Sequence, residues 1–184
     1  VAENATFSLP NLEKTSGGMM YGVAKHACRL ILEDYCKNIG LQFVWMQFSN
    51  IYGVGNKTGN LVSYTLGELM AGNEATFGPA LQPYDFIYVD DVVQANIDAM
   101  NHESITGIYN VSTNTDTSVN ELIQHVSKLN GKTIDTVYAQ ERLGDIKHSR
   151  LSNIKAQKDL NFVATMNLAE GLTNTYQYFL DEQG

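Results

Sequence analysis

Residues 21–53 read YGVAKHACRLILEDYCKNIGLQFVWMQFSNIYG, and two periodicities lie side by side in them. Over 21–38, Val23, Ala27, Leu30, Ile31 and Tyr35 recur at three-to-four spacing and Gly40 stands just past the end, which predicts a helix. Residues 42–49, QFVWMQFS, are a short, nearly continuous apolar run bounded by Gly40 and Gly53. Such a run, rich in aromatic and β-favouring side chains, predicts a buried strand. A helix feeding directly into a buried strand is the building unit of a parallel sheet.

Outward from this stretch the alternation continues. Residues 1–20, polar with Pro10 and Gly17-Gly18, read as a surface loop, and NIYGVGNKTGN after the strand as a Gly/Asn-rich loop. Leu61 to Met70 predicts a helix stopped by Gly72-Asn73, and EATFGPALQP reads as irregular. Asp85 to Val89 predicts a strand, followed by a helix to about Asn101 in which Asp90 and Asp91 cap the free N–H groups. GIYNVS (107–112) and IDTVY (134–138) predict strands. Between them Ser118 and Glu121 form a capping box for a helix ending near Gly131. Asn167 with Glu170 opens a last amphipathic helix with Leu168, Leu172, Tyr176 and Phe179 on one stripe. The order of elements predicts an α/β fold with a parallel sheet.

The 184 residues are 43% apolar and 17% charged, the balance of a folded soluble domain. Twelve basic against twenty acidic side chains give −8, which argues against a nucleic-acid surface. No apolar run reaches the roughly 18–20 residues of a membrane span, and no leader pattern opens the sequence. Cys28 and Cys36, eight apart on the predicted helix, would stand about 12 Å apart, too far for a disulfide. They read as reduced thiols of a cytoplasmic protein. The four scattered histidines and the absence of C-x-x-C spacing give no metal centre.

Tyr21 and Lys25 are four residues apart, so a helix places them on one face. A lysine ammonium beside a phenol favours the phenolate, and a phenol so tuned can exchange a proton with a sugar or alcohol hydroxyl. The bare pair is equally readable as a solvated helix face. Its surroundings add weight: Ser49-Asn50-Ile51-Tyr52-Gly53, then Asp85-Phe86-Ile87-Tyr88-Val89-Asp90-Asp91-Val92-Val93, Gly107-Ile108-Tyr109-Asn110-Val111, Arg142-Leu143-Gly144-Asp145 and Ala169-Glu170-Gly171-Leu172. In this order the chain, over residues 10 to 180, resembles the extended short-chain dehydrogenase/reductases, and among them the NAD-dependent nucleotide-sugar epimerases and dehydratases.

The resemblance implies the C-terminal part of a Rossmann-like, doubly wound parallel sheet plus a small α/β substrate-binding domain. Residues 1–56 would end the dinucleotide-binding domain. Residues 57–184 would mainly form the substrate-binding domain, with 84–115 returning to the Rossmann sheet. It implies NAD or NADP as cofactor, a nucleotide sugar as substrate, a homodimer formed through the YxxxK helix, and isomerase, lyase or oxidoreductase chemistry. Tyr21 would be the acid/base, and Lys25 would hold the nicotinamide ribose. Phe48 and Ser49 would lie beside the nicotinamide. Asn50 would contact the sugar nucleotide, Asn60 and Leu61 the diphosphate, Phe77 the base, Arg142 the diphosphate and Asp145 a ribose hydroxyl. Taken without the resemblance, Asn50 and Asn60 are also turn and cap residues, Phe77 a core residue, and Arg142, one of three arginines, a surface ion-pair partner.

The sequence departs from that pattern in three places. Gln47 and Tyr84 stand where the family often has arginine. Losing a charged hydrogen bond at Tyr84 costs diphosphate binding roughly 1.5–3 kcal/mol. No G-x-x-G-x-x-G precedes Tyr21, and Thr6 and Ser8 lie too close to it to act as the helper hydroxyl. The expectation is therefore the later part of a protein of roughly 300 residues, inactive by itself. The alternative is a non-catalytic sugar-nucleotide-binding or assembly module on the same fold.

Overall fold

The computed structural model describes residues 1–5, 17–56, 59–78, 81–140 and 149–182. A long helix α1 (Gly17–Asn38) leads into β1 (Val44–Phe48) and, after a break at Ser49, β2 (Asn50–Tyr52). Then come α2 (Leu61–Ala71), β3 (Ala75–Phe77), β4 (Pro83–Tyr84), β5 (Phe86–Tyr88) and α3 (Val89–Met100). The chain continues through β6 (Gly107–Val111), β7 (Thr117–Ser118), α4 (Val119–Asn130), β8 (Thr136–Tyr138), α5 (Ile154–Leu160) and α6 (Leu168–Asp181).

β1 pairs in parallel with β6, Val44 opposite Gly107 and Phe48 opposite Val111. Past the break the chain changes partner, and β2 pairs in parallel with β5, Asn50 opposite Phe86. β3 and β8 form a third parallel pair and β4 and β7 an antiparallel one. Alternation along β1 sends its side chains to opposite faces. Trp45 and Gln47 face α1 across a cleft, and Val44 and Met46 face α3. Under α3 a lower core gathers Ile87, Val92, Ala95, Tyr109, Val111, Leu160 and Phe162. An upper core joins α2, α4 and α6 through Val62, Leu66, Leu69, Leu122, Val126 and Leu172. The α/β reading stands, with parallel pairing at its centre.

Two caps form as their residues require. Ser118 Oγ accepts from Glu121 N–H at 3.2 Å while the Glu121 carboxylate accepts from Ser118 N–H at 2.7 Å. Asn167 Oδ1 accepts from Glu170 N–H at 3.0 Å, and Leu168, Leu172, Tyr176 and Phe179 turn to the upper core. Other expectations are corrected. α1 begins at Gly17, inside the stretch read as loop. NIY and ATF are strands, because partners 36 and 61 residues away supply their ladder bonds. α5 was not foreseen. Asp90 and Asp91 make no side-chain cap on α3. The Asp91 carboxylate instead accepts from Thr165 N–H and Oγ1 (both 2.9 Å) and Met166 N–H (3.1 Å), clamping the approach to α6.

Candidate active site

The helix that opens the described core carries the first pair. Tyr21 and Lys25 lie one turn apart, with Lys25 Nζ 5.5 Å from the centroid of the Tyr21 ring. Both side chains are open to solvent, Tyr21 at 66% exposure. On the same helix Gly22, Lys25, His26 and Arg29 line a cleft of about 400 Å³ whose far wall is Trp45, Gln47 and Ile108. Arg29 is held by Glu33 at 2.7 Å. The phenol of Tyr21 is thus exposed beside a cation, where the buried tyrosines are not. Burial, then the nearby Tyr88 and Asp91, pushes the Tyr52 phenol far above its ordinary value. Burial likewise raises Tyr88 and Tyr109. A buried phenol of this kind keeps its proton and serves poorly as a base.

Phe48 ends β1 and Ser49 follows it, at the carboxyl edge of the parallel strands, where α/β sheets place ligands. Phe48 leans on the lower core. Ser49 N–H donates to Val111 C=O at 3.1 Å, and its Oγ is buried with no partner among the described residues. An unbonded buried hydroxyl is costly, and Ser127 Oγ is the other such side-chain atom among the described residues.

Asn50 opens β2 and is tied down on three bonds. Its N–H and Nδ2 both donate to the Asp85 carbonyl, at 2.8 and 3.0 Å, and Nδ2 also donates to Ser149 Oγ at 3.2 Å. Asn60 is the N-cap of α2: its Oδ1 accepts from Ser63 N–H at 2.8 Å and its Nδ2 donates to Ile51 C=O at 3.0 Å. Its side chain is thereby spent on the fold, and Leu61 begins α2, whose N-terminus is the positive end of the helix dipole. Phe77 is 2% exposed and packs edge-on against Tyr64 at 5.6 Å. It also borders a cleft of about 210 Å³ with Gly78, Gln82, Tyr84 and Gln140. Tyr84 stacks on Phe86 at 5.8 Å. Arg142 and Asp145 lie outside the described residues.

Sequence reasoning quoted Asp85 within a motif and gave it no role. The structure makes it the fully buried junction of the strand ends. The available signal was a lone carboxylate directly ahead of the wholly apolar Phe86-Ile87-Tyr88-Val89, since a charge at a buried strand end needs donors waiting for it. Among the described residues no group of His, Cys, Asp and Glu could hold a metal ion, and no helix is long and apolar enough to cross a membrane.

The chain is 29% identical over 163 residues to the UDP-glucose 4-epimerase of Mycolicibacterium smegmatis, covering 86% of this chain and 52% of the relative. It superposes on a crystal structure of UDP-glucose 4-epimerase with UDP-glucose from Thermotoga maritima with a TM-score of 0.83, at 30% identity, over 89% of this chain and 54% of that one. It also superposes on the Thermus thermophilus UDP-glucose 4-epimerase in complex with NAD, with a TM-score of 0.78 at 26% identity, over 93% and 59%. The chain spans about half the length of the curated relatives it matches. The model of the NAD dependent epimerase/dehydratase family matches residues 8–112, more than half of the sequence, and the chain belongs to that family.

Proposed function

We propose that these residues are the C-terminal part of an NAD(P)-dependent nucleotide-sugar epimerase or dehydratase. The observation that carries this reading is the Tyr21–Lys25 pair, exposed and one helical turn apart, in a chain whose family match spans it. The residues present fit the nicotinamide end of the cofactor. Lys25 offers a cation to ribose hydroxyls, and Ser49, beside Phe48, holds a buried Oγ in need of a partner. When bound, the cofactor supplies hydride acceptance and return at its nicotinamide. Tyr21 removes a proton from the sugar hydroxyl, and the Lys25 charge stabilises the negative charge that gathers on the phenol oxygen.

On the same reading Asn50 touches the sugar nucleotide. The N-terminus of α2, at Asn60 and Leu61, faces the diphosphate with Arg142. Phe77 borders the base and Asp145 meets a ribose hydroxyl. Residues 1–56 close the dinucleotide-binding domain, 84–115 return to its sheet and the remainder is the substrate-binding domain. The exposed apolar side chains of α1, Leu30, Ile31, Leu32 and Tyr35, suit a homodimer contact.

The test is turnover of UDP-glucose by the full-length protein with NAD, followed as UDP-galactose formed. Tyr21→Phe lowers the rate by about 10²–10⁴-fold, the share a positioned acid/base contributes, and Lys25→Met lowers it in the same direction. Unchanged turnover in both variants overturns the reading. Nucleotide-sugar binding with no turnover of any UDP-sugar favours the non-catalytic module.

A further inference from the structure

Asp85 sits where β2, β5 and β6 converge, fully buried, and its carboxylate is saturated from two directions. Oδ1 accepts from Thr113 N–H at 3.1 Å and from Thr113 Oγ1 at 2.8 Å. Oδ2 accepts from Asn114 N–H at 3.1 Å and from Leu151 N–H at 3.4 Å. The backbone of the same residue faces Asn50. Its carbonyl takes the two Asn50 donors already described, and its N–H donates to Ser149 Oγ at 3.2 Å, the atom that Asn50 Nδ2 also reaches. Ser149 Oγ in turn donates to Pro83 C=O at 3.3 Å.

We propose that Asp85 is a positioning residue for nucleotide-sugar binding, acting through Asn50 and through the 149–151 segment rather than by touching the ligand. The proposal rests on the functional reading above, which places Asn50 at the sugar nucleotide. Two physical points carry it. First, an amide NH₂ has two hydrogens, and both of those on Asn50 are committed to the Asp85 carbonyl and to Ser149 Oγ. The plane of the carboxamide is therefore fixed, and with it the direction in which Oδ1 accepts. Second, a buried carboxylate with four donors is anchored by charge-assisted bonds, which are shorter and stronger than neutral ones. That anchor reaches Leu151 as well as Thr113 and Asn114, so one residue ties the strand end bearing Asn50 through its backbone and the chain that follows Arg142 and Asp145 in sequence through its side chain.

An ordinary core residue would stabilise the fold without aiming anything. A strut joining the strand end that bears Asn50 to the 149–151 segment makes binding depend on its charge. In Asp85→Asn the size is kept, but an NH₂ replaces one of the accepting oxygens and meets N–H groups of Asn114 and Leu151 or of Thr113 head-on. Ser149→Ala removes only the hydroxyl shared by Asp85 N–H and Asn50 Nδ2 and is the gentler variant.

The experiment uses the full-length protein, with UDP-glucose as the probe, and measures KM, kcat and NAD affinity in wild type, Asp85→Asn and Ser149→Ala. The expected result is a KM for UDP-glucose raised about tenfold in Asp85→Asn and several-fold in Ser149→Ala, with NAD affinity unmoved. Asn50→Ala combined with Ser149→Ala gives no further rise over Asn50→Ala alone, since the hydroxyl acts through that amide. If Asp85→Asn fails to fold, Ser149→Ala and the double variant decide. A kcat that falls with the folded fraction while KM stays put in the variants that fold overturns the positioning role and leaves Asp85 a structural strut. A wild-type protein that neither binds nor turns over UDP-sugars overturns the functional reading and this inference with it.

Discussion

Glu121 shows how much a single side chain reports on its surroundings. Its carboxylate accepts from the Ser118 N–H and hydroxyl at the start of α4, and those bonds hold it below the ordinary carboxylate value of 4.5. A group whose pKa is lowered by folding adds stability above its unfolded pKa and loses that contribution as pH falls through the folded value. The wild-type melting temperature therefore exceeds that of Glu121→Ala at neutral pH, and the gap closes in the acid range below about 4.5. Thermal melts of both proteins from pH 7 down to pH 3 check this; a gap independent of pH would sink it. Among the tyrosines the contrast runs the other way. Tyr52, Tyr88 and Tyr109 are kept protonated by burial, whereas Tyr21, to which the proposed function gives the proton exchange, is exposed beside Lys25. The pair itself was legible in the sequence, because i and i+4 share a helix face. Asp85 was not legible as more than a motif letter. Its donors come from Thr113, Asn114 and Leu151, and only the folded chain brings them together.

At the scale of elements, α6 docks through Gly171. A Cβ there would overlap the Tyr52 hydroxyl and come within 2.9 Å of the Tyr88 ring. Gly171→Ala must push the helix or those rings away, an overpacking cost of about 1–3 kcal/mol. Urea denaturation should show the midpoint falling, and Tyr52→Phe, which deletes the hydroxyl, should recover part of the loss. Gly53 is fixed for a related reason: its φ is +141° and an added Cβ would lie 2.6 Å from Val89 Cγ1. This is why the Tyr-Gly turn admits no larger residue between β2 and α3. The long helices and the β1 and β6 strands were readable because their periods run for several turns or pleats. β2, β3 and α5 span three, three and seven residues, too short to declare a period, and they exist because distant segments complete their hydrogen bonds.

For the whole molecule, α1 is the telling element. Leu30, Ile31, Leu32 and Tyr35 stand exposed along it, and Met20 with them. So much exposed apolar side-chain surface on one helix marks a surface made to be covered. These 184 residues also hold no Gly-rich pyrophosphate loop. Produced by themselves they should self-associate in sedimentation measurements, in a concentration-dependent way, and turn over no UDP-sugar with added NAD. Sustained turnover by this chain alone would show that the cofactor can be held without that loop.

The sequence by itself determined the alternation of helices and strands, the capped starts of α4 and α6, the spacing of Tyr21 and Lys25 and the family pattern. All of these rest on contacts between near neighbours along the chain or on the identity of residues at fixed spacings. Only the tertiary structure decided that β1 and β2 take different partners. The same holds for the Asn60 side chain, spent on its cap and on Ile51, and for Asp91, which grips the approach to α6 instead of capping α3. It also left Ser49 Oγ buried without a partner among the described residues and gathered Asn50, Ser149 and Leu151 around Asp85. The reason is one of range. A cap or an i,i+4 pair is closed by residues three or four apart, whereas a buried polar group must find its donors wherever the packed chain delivers them.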